Sequence, residues 1–188
     1  MFNSTNASSN KPTLVVTYKP DYYGNATAYV QKTGDGVNCL GYVMGINASV
    51  QPSDVGASLG TMVAEAYFDN YLKQYLRDSG YGIARQINRT TAIGTHERRI
   101  AMRIGTFNAS GTAWRDYHFW RELGGSDAGL WADKPGAQSD SSRKLTSTDN
   151  PSDNNVLGWD FKMNGMSTTQ YYADPTIYIA ISAPSGTY

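Results

Sequence analysis

The sequence predicts an α+β fold, with helices early in the chain and a mostly antiparallel sheet late. Apolar residues recur every three to four positions between Asn38 and Leu76, the period of an amphipathic helix. From about Tyr81 onward they alternate, the period of a strand with one buried face. Glycine-rich breaks then separate successive alternating runs, so that neighbours can pair as hairpins. Runs of helix followed by runs of strand give a segregated α+β arrangement rather than an alternating one.

Residues 1–11 are small, polar and aperiodic, and are expected to form a flexible tail. The remainder, 12–188, is expected to be one domain, since a chain of 188 residues is an ordinary single-domain length. Residues 12–18 (PTLVVTY) form a β-branched run and read as a strand, 21–24 as a turn, and 26–31 as a second extended piece. In 38–46 (NCLGYVMGI) apolar side chains fall at 39, 40, 43, 44 and 46, compatible with a helix that Asn38 caps. A break follows at Pro52-Ser53-Asp54. Residues 59–76 carry the strongest helical pattern, with Met62, Val63, Ala66, Tyr67, Tyr71 and Tyr75 on one stripe and Gly80 as terminator.

Residues 83–87 read as a strand or a loop edge. Residues 97–107 (ERRIAMRIGTF) and 114–123 (WRDYHFWREL) alternate. The second run puts His118 and Trp120 on one face and Tyr117 and Phe119 on the other. The turn at 124–127 leads into a partner strand at 130–134, and 176–182 (TIYIAIS) closes the chain as a final strand. Residues 136–155, rich in Ser, Asp and Asn, are expected to form a long polar loop.

Composition excludes several classes. Sixteen basic residues balance sixteen acidic ones, which argues against a nucleic-acid binder and against a polybasic membrane anchor. No apolar run approaches a membrane span. A single cysteine excludes a disulfide framework, and one cysteine with two histidines leaves no metal cage, so neither metal nor cofactor is expected. Six Asn-X-Ser/Thr sequons, at Asn3, Asn6, Asn25, Asn47, Asn88 and Asn108, point to a polar, extracellular-style surface rather than to glycosylation itself.

Few residues remain that could perform chemistry. A lone cysteine is most often a small buried hydrophobe. Cys39, however, follows a glycine-rich turn at the first turn of a predicted helix, where unsatisfied N–H groups stabilise a thiolate and can hold an oxyanion. Its base would be His118, aimed from a fixed strand; His96 reads as loop surface. Pairing about a turn centred near residue 126 places Asp133 roughly opposite His118, in reach to fix the imidazole. Asp116, two residues before His118 and on its face, is the reserve orienter. In this arrangement the Cys39 sulfur lies within about 4 Å of the ring.

The stretch from Tyr29 to Val43 (YVQKTGDGVNCLGYV) resembles the nucleophile segment of the NlpC-type cell-wall cysteine peptidases and of the related CHAP amidases. Both are compact papain-like folds in which the cysteine opens a helix packed on a sheet, with a histidine and a polar orienter later. Asn38 stands where that family has Asp, and Leu40 where it has Ser. The resemblance implies a papain-like catalytic domain and a cysteine amidase or peptidase hydrolysing amide bonds of peptidoglycan peptides. Its catalytic residues would be Cys39, His118 and Asp133. Tyr29 would assist the oxyanion, with Asn38, Trp120 and Trp131 around the substrate groove. It also implies a bacterial secreted or cell-surface hydrolase, with a peptidoglycan or peptide substrate and room for an inhibitor or immunity protein as partner.

The alternative is a non-catalytic β-rich module, either a secreted carbohydrate binder or a cell-surface or phage structural domain. Fourteen tyrosines and the Asn/Ser/Thr-rich composition suit it. Cys39 is then core.

Overall fold

The computed structural model describes residues 36–46, 48–81, 84–94, 96–109, 112–124, 127–136, 142–145, 151, 161–162, 169–170 and 175–182. The expected tail at 1–11, the strand at 12–18, Tyr29 and most of the polar segment 136–155 lie outside these.

The described chain is α+β. Four short helical segments come first: α1 (Cys39–Met44), α2 (Pro52–Val55), α3 (Ala64–Tyr67) and, after a π-helical turn at Phe68–Leu72, α4 (Lys73–Asp78). Strands follow: β1 (Ala84–Ile87), β2 (Glu97–Ala109), β3 (Thr112–Glu122), β4 (Trp131–Asp133), β5 (Arg143–Lys144), β6 (Phe161–Lys162), β7 (Thr169–Gln170) and β8 (Ile177–Ser182). Six of them form one antiparallel sheet in the order β1-β8-β2-β3-β4-β5, and β6 pairs with β7. The last of the described strands, β8, is thus inserted between β1 and β2.

The helix expected over 59–76 begins later, at Ala64, because Leu59–Met62 closes as a turn (Met62 N–H to Leu59 C=O, 2.9 Å) with Gly60 at φ 50°. The expected break at Pro52 is instead the start of α2: Pro has no N–H to lose in a first turn, and Asp54 and Gln51 cap it reciprocally. Strands β5, β6 and β7 carry no clear alternation and were not expected. They are two residues each, too short for a period to register.

The pleat sorts the sheet into two faces. Ile100, Met102, Ile104, Tyr117, Phe119, Ala132, Ile177, Ile179 and Ile181 join the helix residues Cys39, Leu40, Val43, Tyr67, Phe68, Leu72 and Leu76 in the main core. The far face carries Ala101, Trp120, Trp131 and Tyr178 in a second cluster, together with the buried polar residues Arg99, Arg103, His118 and Asp133. Side chains alternate across each strand, so residues one apart can never share a face. All six residues of β8 are buried, which shows that both faces are covered there.

Candidate functional site

Cys39 opens α1 as expected. Asn38 is its N-cap: the side chain accepts from the Gly41 N–H at 3.0 Å. The same amide grips the following loop, accepting from the Val50 N–H at 3.1 Å and donating to the Val50 carbonyl. Tyr117 Oη donates to that carbonyl as well, at 2.5 Å. Asn38 is 5% exposed and committed to these bonds. It therefore serves as a structural clamp, where the sequence placed it beside substrate.

The Cys39 sulfur lies on the helix face of the sheet, beneath the β3 backbone, and donates to the Tyr117 carbonyl at 3.8 Å. Burial pushes the thiol far above its ordinary pKa, and the carboxylates of Asp116 and Asp133 add to the rise. The Phe119 and Leu40 backbones pull in the opposite direction and are outweighed. A one-and-a-half-turn helix offers a weak dipole, whereas removal from water acts on the full thiolate charge; desolvation wins.

His118 stands on the other side. Its neighbours Tyr117 and Phe119 face α1, so the imidazole points to the far face. There Nε2 lies 2.8 Å from Asp133 Oδ2, with side chains only 3% and 0% exposed. Trp120 closes edge-on against the ring, centroids 4.4 Å apart. The structure therefore brings His118 and Asp133 together and separates both from Cys39 by the thickness of the sheet. The Cys39 sulfur bonds the Tyr117 carbonyl, and His118 Nε2 bonds Asp133, where the sequence expects sulfur and imidazole within about 4 Å of each other.

The His118–Asp133 contact arises from a register two residues from the one expected. Asp133 pairs with Trp120, not with His118. The turn is tied by Leu123 N–H to Leu130 C=O (2.8 Å), with Asp127 N–H bonding Gly124 C=O inside it. A two-residue shift preserves the face, and the bond forms diagonally. Asp116, the reserve orienter, shares that face; its Oδ1 accepts from the Tyr117 N–H at 2.8 Å.

Trp120 and Trp131, expected beside a substrate groove, are buried at 1% and 2% in the far-face cluster. Sequence reasoning passed over Arg103, which lies directly opposite His118 and is 1% exposed, its Nε donating to Thr176 Oγ1 at 2.6 Å. Thr176, just before β8, with Arg103 on β2, His118 on β3 and Asp133 on β4, thus makes a buried polar row across the sheet. An arginine alternating with Ile and Met in a strand was the available signal. Among the described residues, no group of three or more His, Cys, Asp or Glu side chains could hold a metal ion.

Compared with known protein families, with curated proteins and with solved structures, the chain gives no match in any of the three. No described helix is long and apolar enough to cross a membrane.

Proposed function

We propose that this chain is a non-catalytic β-rich module, a structural or binding domain of a secreted or cell-surface assembly, in which Cys39 is a core residue. The observation that carries this is the placement of the Cys39 sulfur and the His118 ring on opposite faces of β3. A thiol nucleophile needs its base within one hydrogen bond, and it needs a lowered pKa. Here the pKa is raised and the thiol is spent on a main-chain carbonyl. The buried indoles of Trp120 and Trp131 favour a structural or protein-binding role over sugar stacking by these two side chains.

The papain-like amidase reading draws support from the order of its parts: a cysteine at a helix start, a histidine on a later strand, and an aspartate bonded to it across a hairpin. It requires the imidazole to cross the plane of the sheet. Alkylation by iodoacetamide at neutral pH separates the two. A core Cys39 reacts on the order of a hundredfold or more slowly in the native chain than in the unfolded one, because reaction waits on opening. Rapid stoichiometric modification of the native protein would restore the amidase.

A further inference from the structure

A cation that forms no ion pair among the described residues stands on the helix face, at the far end of α1 from Cys39. Arg121 is 5% exposed, and its Cζ lies 5.0 Å from the centre of the Tyr42 ring. Its strand neighbours are Ile100 and Ala132, both in the apolar core. No carboxylate among the described residues forms an ion pair with it, and its Nε is buried without a hydrogen-bond partner.

The end of α1 does not account for this charge. The Gly41 and Tyr42 carbonyls accept from the N–H groups of Ile46 and Gly45. The Val43 carbonyl accepts from Arg98 at 2.8 Å, and that of Met44 from Tyr81 Oη at 2.5 Å. Every terminal carbonyl of α1 therefore has a donor already, and Arg98 brings a second guanidinium to the same helix end. A guanidinium whose Nε–H is taken from water and left unpaired is unfavourable, and the Tyr42 ring offsets only part of that cost. A planar fork of N–H donors matches the two oxygens of a carboxylate bidentately.

We propose that Arg121, backed by Tyr42 and with Arg98 beside it, anchors a binding subsite for a carboxylate supplied by a partner polypeptide. The subsite is independent of Cys39, so alkylation bears on one proposal and the following titration on the other. The Nε–H signal of Arg121 is followed by NMR in the intact chain at constant ionic strength, with chloride as the reference. N-acetylglycine stands for a chain terminus, and the α-amide of N-acetylglutamate for an acidic side chain. A saturable shift with either probe supports the subsite, and the probe that binds more tightly names the source. Arg121→Lys, which keeps the charge and loses the fork, should weaken the stabilisation of thermal unfolding by that probe at least severalfold. Absence of a saturable shift with both probes, or equal stabilisation of wild type and Arg121→Lys, overturns the proposal.

Discussion

Asp133 is completely buried, and the hydrogen bond it shares with His118 lies in an aromatic setting made by Trp120 and Trp131. In such surroundings an unmatched polar atom costs more than a bond gains, since water cannot replace the lost partner. Asp133→Ala is therefore expected to destabilise the fold by about 2–4 kcal/mol, read by urea denaturation, with Asp133→Asn losing less because an amide oxygen can still accept. A loss below about 0.5 kcal/mol in the alanine variant would mean that the bond does not hold this face together. This pair was legible in the sequence, because strand alternation and a hairpin turn are both local signals. Strand alternation also assigns Tyr117 and Phe119 to one face and His118 to the other, so a helix packed on the aromatic pair must miss the histidine. What the sequence did not display was which face α1 would cover. That depends on the sum of long-range apolar contacts from β2, β3 and β8, and no local pattern encodes it.

At the scale of elements, α1 is seated by a close approach that only glycine permits. A Cβ on Gly41 would lie 1.8 Å from the Ala48 carbonyl oxygen, within the loop that Asn38 and Tyr117 pull back onto the helix through Val50. Alanine is the better helix former by about 1 kcal/mol, yet the clash is with backbone and cannot be relieved by a side-chain rotation. Gly41→Ala is expected to lose about 2–3 kcal/mol in chemical denaturation, against the sign that propensity alone gives. A second tie joins strands that are not neighbours. Arg85 on β1 reaches over Ala180 of β8 to Glu97 on β2, with N···O distances of 3.2 and 2.7 Å. Burial acts to raise the Glu97 pKa, but the Gly94 N–H and the Arg85 charge outweigh it and hold it below its usual value. A carboxyl depressed by folding contributes stability above its unfolded pKa, near 4.3, and loses it as pH falls through the lower folded value. Glu97→Gln should therefore lose less stability than wild type between pH 6 and 3. The difference should be only about 0.5–1 kcal/mol, since Arg85 is 42% exposed and solvent screens the pair. Parallel acid limbs for the two proteins would show that the bridge contributes nothing. The helix and strand types were readable from periodicity, whereas the π-turn at Phe68–Leu72 and the late start of the long helix at Ala64 were not. Neither leaves a period in the sequence, and residue propensity does not register a π-turn or a local turn closing before the helix.

For the molecule as a whole, the sheet is the partition. Its helix face is mainly apolar, with Arg98 and Arg121 against α1, and its far face mixes indole, phenol and a row of buried charge, yet both are covered where β8 runs. A strand hydrogen-bonded on both edges and buried on both faces can exchange its amide hydrogens only when the whole sheet opens, whereas an edge strand can open alone. β8 lies between β1 and β2, and β2 lies between β8 and β3, while β1 is the edge of the described sheet, with only Ala84 fully buried. Native-state hydrogen exchange should accordingly place the slowest amides in 177–182 of β8 and 100–104 of β2, with free energies approaching that of global unfolding. β1 should exchange at least tenfold faster, about 1.4 kcal/mol lower in opening free energy. This ordering follows from β8 being inserted between β1 and β2, strands far earlier in the chain, a long-range closure that forms only after both are available to receive it. If β8 exchanged as fast as β1, the closing strand would be a loosely held flap, and the two cores would have to be treated as independently stable layers.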